Sequence, residues 1–256
     1  MYNGYEKEVG HLYHGARSAE IFLTFSHSKF TSLPALCLNM KEKLVNIFRS
    51  KLFIYTVLAL PGLYTLYPIL SQNPTFLADP AKYLLEYVGK TATLLFIFVL
   101  SLSPMRVLIP NSQIIASINR HRRVFGVSAF VYVVFYLSFY LIYEGILSQI
   151  VESFQKPFIL SGAFAFLILF ILASTSTDWA VRKFGYTRWK RIHRMAYLAA
   201  LLIFYHQAVQ EKTGAVRTVY FFAPLVMLEF ARVSKNILKK KTIKNVGIKI
   251  KAAADR

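Results

Sequence analysis

Cysteine is nearly absent from this 256-residue chain, with Cys37 as the single example. One thiol cannot close a disulfide within the chain, and iron–sulfur clusters and thiolate metal sites need several, so all three are excluded for one copy. Acidic residues are scarce too, 12 Asp and Glu against 31 Lys and Arg. Charged residues make up only 17% of the chain while hydrophobic types reach 55% and aromatic types 16%. That is too apolar for a soluble domain of this length, and it reads as an integral membrane protein. No glycine-rich nucleotide fingerprint follows a strand pattern, and no polar stretch is long enough to hold FAD and NADPH. The chain therefore cannot draw on a nicotinamide by itself, and a redox centre built here has to use His, Tyr or Met.

What the chain has in quantity is long apolar runs. A spanning helix needs roughly 20 mostly apolar residues, and six stretches qualify: Lys51 to Leu70, Leu84 to Ile109, Val124 to Leu147, Phe158 to Thr175, Ile192 to Val209 and Val216 to Ala231. The expected fold is all-α, a polytopic bundle of six transmembrane helices. Base-rich loops alternate with base-poor ones. Lys41, Lys43, Arg49 and Lys51 precede the first run; Arg106, Arg120, Arg122 and Arg123 follow the second; Arg182, Lys183, Arg188, Lys190 and Arg191 follow the fourth; Arg232, Lys235 and Lys239 to Lys241 follow the sixth. Cytoplasmic loops carry the excess Lys and Arg, so both termini are expected in the cytoplasm. The net charge of +19 is spread over these clusters and the tail, which argues for topology and lipid contact and against nucleic acid.

Three regions follow. Residues 1–45 form a poorly defined N-terminal extension, acidic at Glu6 and Glu8 and without the apolar core of a secretory signal. Met40 opens a basic lead-in, so the residues before it are expected to be a gene-model artefact. Residues 46–236 hold the six helices, and 237–256 are a basic cytoplasmic tail.

Histidine carries the chemistry. His193 and His206 stand near the two ends of the fifth apolar run, and an imidazole at membrane depth is costly and needs a partner. Thirteen steps of helix rise about 20 Å and turn the side chain by about 140°, so the pair addresses two levels of the bilayer. One straight stripe cannot hold both without a helix irregularity or different neighbours. Haem iron commonly takes axial histidines, supplied in a bundle from facing helices. Other histidines offer His206 no partner: His11, His14 and His27 precede the first run, and His121 lies in the second basic loop, where it pairs at most with His193.

Asp79-Pro80, Glu86, Gly89 and Ala92, then Ser103-Pro104-Met105-Arg106, Arg122-Arg123 and Gly126 form one ordered set of motifs. Lys156-Pro157-Phe158, Thr175-Ser176-Thr177, Trp189-Lys190-Arg191-Ile192-His193, Tyr197-Leu198 and His206 continue it. From Lys51 to Lys212 this set resembles the MsrQ (YedZ) family of haem-binding membrane subunits, within the ferric-reductase-like transmembrane group. The resemblance implies one or two b-type haems in the bacterial inner membrane, with FMN as a further cofactor. Electrons would come from quinol or a separate cytoplasmic flavin reductase and go to a periplasmic molybdopterin enzyme that repairs oxidised methionine. It makes His193 and His206 the haem-iron ligands. Where the family carries a histidine on the third helix, this sequence has Tyr136, a poor substitute in a low-spin electron-transfer centre.

Tyr132, Tyr136 and Tyr140 share one helix face, as a ligand with a hopping relay or, by preference, as aromatic packing. Arg106, Arg122, Arg123 and Arg188 suit haem propionates or a flavin phosphate, although the positive-inside rule already accounts for them. Trp179 and Trp189 read as interface anchors. The expected function is a haem b electron-transfer subunit of an oxidoreductase system. The competing readings are a haem-deficient docking or assembly subunit, which Tyr136 favours, and a transmembrane reductase with another acceptor such as ferric iron.

Overall fold

The computed structural model describes residues 40, 42–145, 152, 155–210 and 214–254, with side chains described at none of 214 and 243–254. The expectations placed on residues 1–39, including the artefactual extension, Cys37, His11, His14 and His27, lie outside the described residues. The chain divides into two units, Met1–Phe48 and Arg49–Arg256. In the first, residues 42–48 are helical.

The second unit is helical throughout its described length. Its elements are α1 Lys51–Tyr64, α2 Tyr67–Leu70, α3 Pro74–Ala78, α4 Pro80–Leu108, α5 Gln113–Arg120 and α6 Arg122–Glu144. They continue with α7 Pro157–Ser174, α8 Asp178–Phe184, α9 Tyr186–His193, α10 Ala196–Gln210 and α11 Gly214–Ala254. Local chemistry sets the boundaries. Asp79 caps α4, accepting from the Lys82 amide at 3.0 Å ahead of Pro80, where a missing N–H costs nothing. Thr177 caps α8 in the same way. Gly185, with φ +75°, turns the chain from α8 into α9 through backbone that a Cβ would strain.

Among the described residues, four segments are long and apolar enough to cross a membrane: Lys51–Leu70, Pro80–Leu108, Arg122–Glu144 and Pro157–Ser174. The fifth expected run is not one helix. α9 ends at His193, and the amides of Arg194 and Met195 bond to Arg191 and Ile192, three residues back. This tightened turn sits among Arg191, His193 and Arg194, whose charges favour the wet boundary, and it breaks the straight run between the two histidines. What remains, α10, is 15 residues, or about 22 Å. The sixth run lies in α11, which extends without a break into the Lys-rich tail.

α4 packs principally on α6 and α11, and α10 packs on α7 and α11. At the centre, Phe96, Ile97 and Leu100 of α4 meet Ala129 of α6, Ile168, Leu169 and Leu172 of α7, Ala199 and Ala200 of α10, and Phe222 and Leu225 of α11. The alanines let backbones approach, which is how helices associate when lipid is as apolar as the core. Polarity is thus partly inverted: Leu100 is 1% exposed, while Leu70 at 81% and Phe230 at 75% face outward. Lys235 closes the C-terminal end of α4, donating to the carbonyls of Val107 and Leu108 at 2.9 and 3.1 Å.

Tyr132 shows how sequence and packing interlock. Its hydroxyl accepts from the Gly62 amide at 2.9 Å and donates to the Leu58 carbonyl at 2.7 Å. It is thereby inserted into the i→i−4 ladder of α1 beside Pro61, an interruption that bends helices. This is a packing role, not a relay. Tyr132→Phe should lower stability by about 1–2 kcal/mol, since two backbone groups lose their buried partner. An unchanged thermal midpoint in detergent would contradict this.

Candidate functional site

The centre of the site is His206 on α10. Its Nδ1 lies 2.7 Å from the carbonyl oxygen of Phe158 on α7. A carbonyl only accepts, so Nδ1 carries the proton and Nε2 presents its lone pair. Opposite that lone pair stands Tyr136 of α6, its hydroxyl 3.3 Å from Nε2 and oriented to donate. The rings meet edge to face. Two glycines make room for this pair. A Cβ on Gly162 would lie 2.8 Å from His206 Nδ1, and one on Gly89 would lie 3.0 Å from the Tyr136 ring.

Both rings line a cavity of about 500 Å³ between α4, α6, α7, α10 and α11. Phe96, Val133, Leu137, Phe166 and Ile203 supply apolar wall, Lys90, Lys156 and Arg217 supply positive charge, and Glu86 and Glu144 supply negative charge, Lys90 being paired with Glu86 at 3.2 Å. Gln210 lies beside the Tyr136 hydroxyl. Gln207 donates to Thr93 Oγ1 at 2.5 Å, tying α10 to α4 across the cavity. An apolar pocket of this size with a few convergent polar groups is the usual form of a cofactor site.

The other histidine is held differently. His193 Nε2 lies 3.3 Å from Thr175 Oγ1, and that hydroxyl donates its only proton to the Ile171 carbonyl at 2.7 Å. The hydroxyl therefore accepts, and His193 Nε2 carries a proton instead of a free lone pair. Trp189 stacks on the imidazole at 4.1 Å between ring centres and donates to the Thr175 carbonyl at 2.9 Å. The expected interface anchor is thus also the clamp that joins α9 to the end of α7. Trp179 is 60% exposed with Lys183 over its ring.

The basic residues divide between the ends of the bundle. Among the described residues, Arg106, Arg122 and Arg123 do not line the His206 cavity. Arg123 pairs with Asp178 and lies over Trp189, on the His193 side. Arg122 sits near Tyr197, Arg232 and Glu229. There Arg232 bonds Glu229 at 2.6 Å, and Tyr197 donates to Glu229 at 3.0 Å. Arg106 is exposed in the last turn of α4. His121 is buried at the α5–α6 corner, 5% exposed, and its Nε2 has no hydrogen-bond partner among the described residues.

The structure brings Tyr136 and His206 together across two helices. Sequence reasoning missed the Phe158 carbonyl, Gly162 and Gln210. Of these only Gly162 left a signal, the one glycine of α7, set among the small residues Ser161, Ala163 and Ala165.

Comparison with known proteins gives the following. The family described as "Ferric reductase like transmembrane component" matches residues 87–204. The haem-binding subunit MsrQ of the protein-methionine-sulfoxide reductase of Brucella melitensis is 28% identical over 189 residues, covering 73% of this chain and 82% of that protein. Its counterpart from Brucella ovis is 27% identical over the same length. The magnetosome protein MamZ of Magnetospirillum gryphiswaldense is 35% identical over 154 residues, 58% of this chain; the match spans only 23% of MamZ. No solved structure matches the chain.

Gly162→Ala should lower the thermal midpoint, because its Cβ would force the imidazole off the Phe158 carbonyl at a cost of about 1–3 kcal/mol. Gly126→Ala, whose Cβ would meet Val99 at an ordinary 3.9 Å, should not. At the other end, the Arg123 guanidinium, by hydrogen bond and charge, holds the Asp178 carboxyl below the usual carboxylate range. A depressed folded value contributes stability above the ordinary value of about 3.9 and loses it as pH falls through the folded one. Asp178→Asn should therefore melt slightly below wild type at neutral pH, with the gap closing under acid. The gap is small because both side chains are largely exposed, at 44% and 77%.

Proposed function

We infer, for a chain that is an MsrQ-like protein with a ferric-reductase-like transmembrane domain, that it is a haem-binding electron-transfer subunit of a membrane oxidoreductase system. The observation that carries this reading is the set of His206. A backbone carbonyl fixes its tautomer and aim, and Nε2 faces a large apolar cavity, the arrangement by which proteins orient a ligating imidazole.

The residues fit a b-type haem on this side. His206 would bind the iron, Gly89 and Gly162 keep the approach open, and Lys156 on the cavity wall suits a propionate by charge. When bound, the haem supplies a one-electron ferric/ferrous couple. The protein's own work is to hold that couple in place and away from water. Phe158 holds the Nδ1 proton, Gln207 and Thr93 brace α10 against α4, and Phe96, Val133 and Ile203 exclude solvent. A second haem at His193 would need its Nε2 to leave Thr175, so the geometry favours a single centre at His206.

On the positive-inside argument, α10 and α11 complete a six-span bundle in the bacterial inner membrane, with both termini cytoplasmic. The cavity then opens beside the base-poor loops, on the periplasmic side. The donor in this reading is quinol or a separate cytoplasmic flavin reductase, with FMN on the basic face near Arg106, Arg122 and Arg123. The acceptor is a periplasmic molybdopterin-dependent reductase of methionine sulfoxide in proteins, the system named for the Brucella relatives. A second reading, a haem-deficient docking or assembly subunit, draws on Tyr136 standing where an imidazole would face His206. A reductase using ferric iron as acceptor shares the same haem centre and differs only in its partner.

The visible spectrum of the purified chain tests this. A Soret band that shifts on dithionite is expected. His206→Ala should remove most of it, and Tyr136→Phe should retain it. Equal pigment in wild type and the His206 variant would sink the assignment, and a colourless preparation even after hemin addition would favour the docking subunit.

A further inference from the structure

We propose that the base-rich end of the bundle binds one anionic phospholipid, its headgroup phosphate taken by Arg122 of α6 beside Arg232 of α11. The site lies at the end opposite His206, and it rests on the membrane orientation given above and not on a haem.

Three observations support it. First, the charges here do not balance. Arg123 is paired with Asp178, and Arg232 with Glu229 at 2.6 Å. The other oxygen of Glu229 accepts from the Tyr197 hydroxyl at 3.0 Å, and that hydroxyl accepts from Arg232 at 3.2 Å. The Arg232, Glu229 and Tyr197 side chains thus satisfy one another in a closed ring. Arg122 sits near all three, yet among the described residues it has no hydrogen-bond or ion-pair partner. Three guanidiniums meet two carboxylates, and one positive charge is left over. Second, Arg122 is poorly placed to rely on bulk water. It is half-buried, whereas Arg106, Arg120 and Arg194 of the same end are exposed, and a guanidinium only donates, so its N–H groups need acceptors. It also opens α6, whose first turn holds no acid and no side-chain cap, at the positive end of that helix's dipole. An anion from outside the chain would offset both. Third, exposed apolar surface begins at the cluster and runs toward the bilayer. Leu198, Leu201 and Tyr205 follow Tyr197 along α10, and Val226, Met227 and Phe230 flank Glu229 on α11.

A phosphate bound at Arg122 with acyl chains laid on these residues is a phospholipid. Basic pockets between spanning helices on the cytoplasmic side are where anionic headgroups dock, and that leaflet carries the negative lipid. The planar fork of Arg matches phosphate oxygens in pairs. A zwitterionic headgroup brings its own cation next to Arg122 and Arg232, so a headgroup with net negative charge is preferred. A free phosphate or a flavin would use the guanidinium and leave the apolar surface unused.

The test uses the full chain in detergent, titrated with phosphatidylglycerol or phosphatidylcholine and read by native mass spectrometry and by the thermal midpoint. Wild type should retain a single phosphatidylglycerol and melt higher with it, while phosphatidylcholine does neither. Inorganic phosphate and FMN, added as soluble rivals, should not displace the lipid. Arg122→Gln should bind phosphatidylglycerol about tenfold or more weakly. Arg120→Gln, which removes the same charge from an exposed position nearby, should bind it as wild type does. Equal retention of the two lipids by wild type overturns the proposal without any variant, and so decides the matter even where Arg122→Gln does not fold. Equal weakening in the two variants also overturns it, because charge alone would then account for binding. Displacement by phosphate or FMN would assign Arg122 to a soluble anion instead. None of these outcomes touches the Soret band, so the haem reading stands or falls separately.

Discussion

The bond from His206 Nδ1 to the Phe158 carbonyl, 2.7 Å long, is the interaction on which the site depends. It decides which nitrogen carries the proton, and so which one is free to meet a metal. It also joins α10 to α7 where the α7 backbone is laid bare by Gly162. Without it the imidazole has two tautomers and no fixed aim, and the cavity becomes a greasy hole with a histidine on its wall. The contrast with His193 makes the point. That residue belongs to the same sequence pattern, yet its Nε2 proton is engaged by Thr175 and its ring is covered by Trp189. Two residues of one type, at two ends of one apolar run, differ in chemistry because their hydrogen-bond partners differ.

The division of charge follows a similar logic. Basic residues near His193 are held in pairs and stacks, Arg123 with Asp178 and Trp189, and Arg232 with Glu229 and Tyr197. Those near His206 line a cavity. The first arrangement braces short helices at a wet boundary, where exposed ion pairs add little stability but do set geometry. The second sets Lys90, Lys156 and Arg217 together with Glu86 and Glu144 around a pocket that is otherwise largely apolar, with Lys90 paired to Glu86 at 3.2 Å.

Tyr136 is seated by the packing around it. Gly89 gives the phenol ring its seat, and its hydroxyl lies between Gln210 and His206 Nε2. Tyr132, one turn earlier, serves a different end. Its hydroxyl is consumed by the interrupted ladder of α1, so a shared helix face does not make the tyrosines a chain of equivalents.

Composition alone determined that this is an all-helical membrane protein, because apolar runs of that length have no other stable fate and basic loops mark their ends. The histidines were legible for the same reason, since ionisable groups in such runs are rare and stand out. The motif order also placed Tyr136 across from His206. The break between α9 and α10, the protonation of each imidazole, the seats at Gly89 and Gly162 and the cavity itself were decided only by tertiary structure. Apart from the break, which is made by local bonds of Arg194 and Met195 to Arg191 and Ile192, each depends on a backbone carbonyl, a hydroxyl or an absent Cβ brought in from a helix distant in sequence, and such groups leave no periodic trace in the chain.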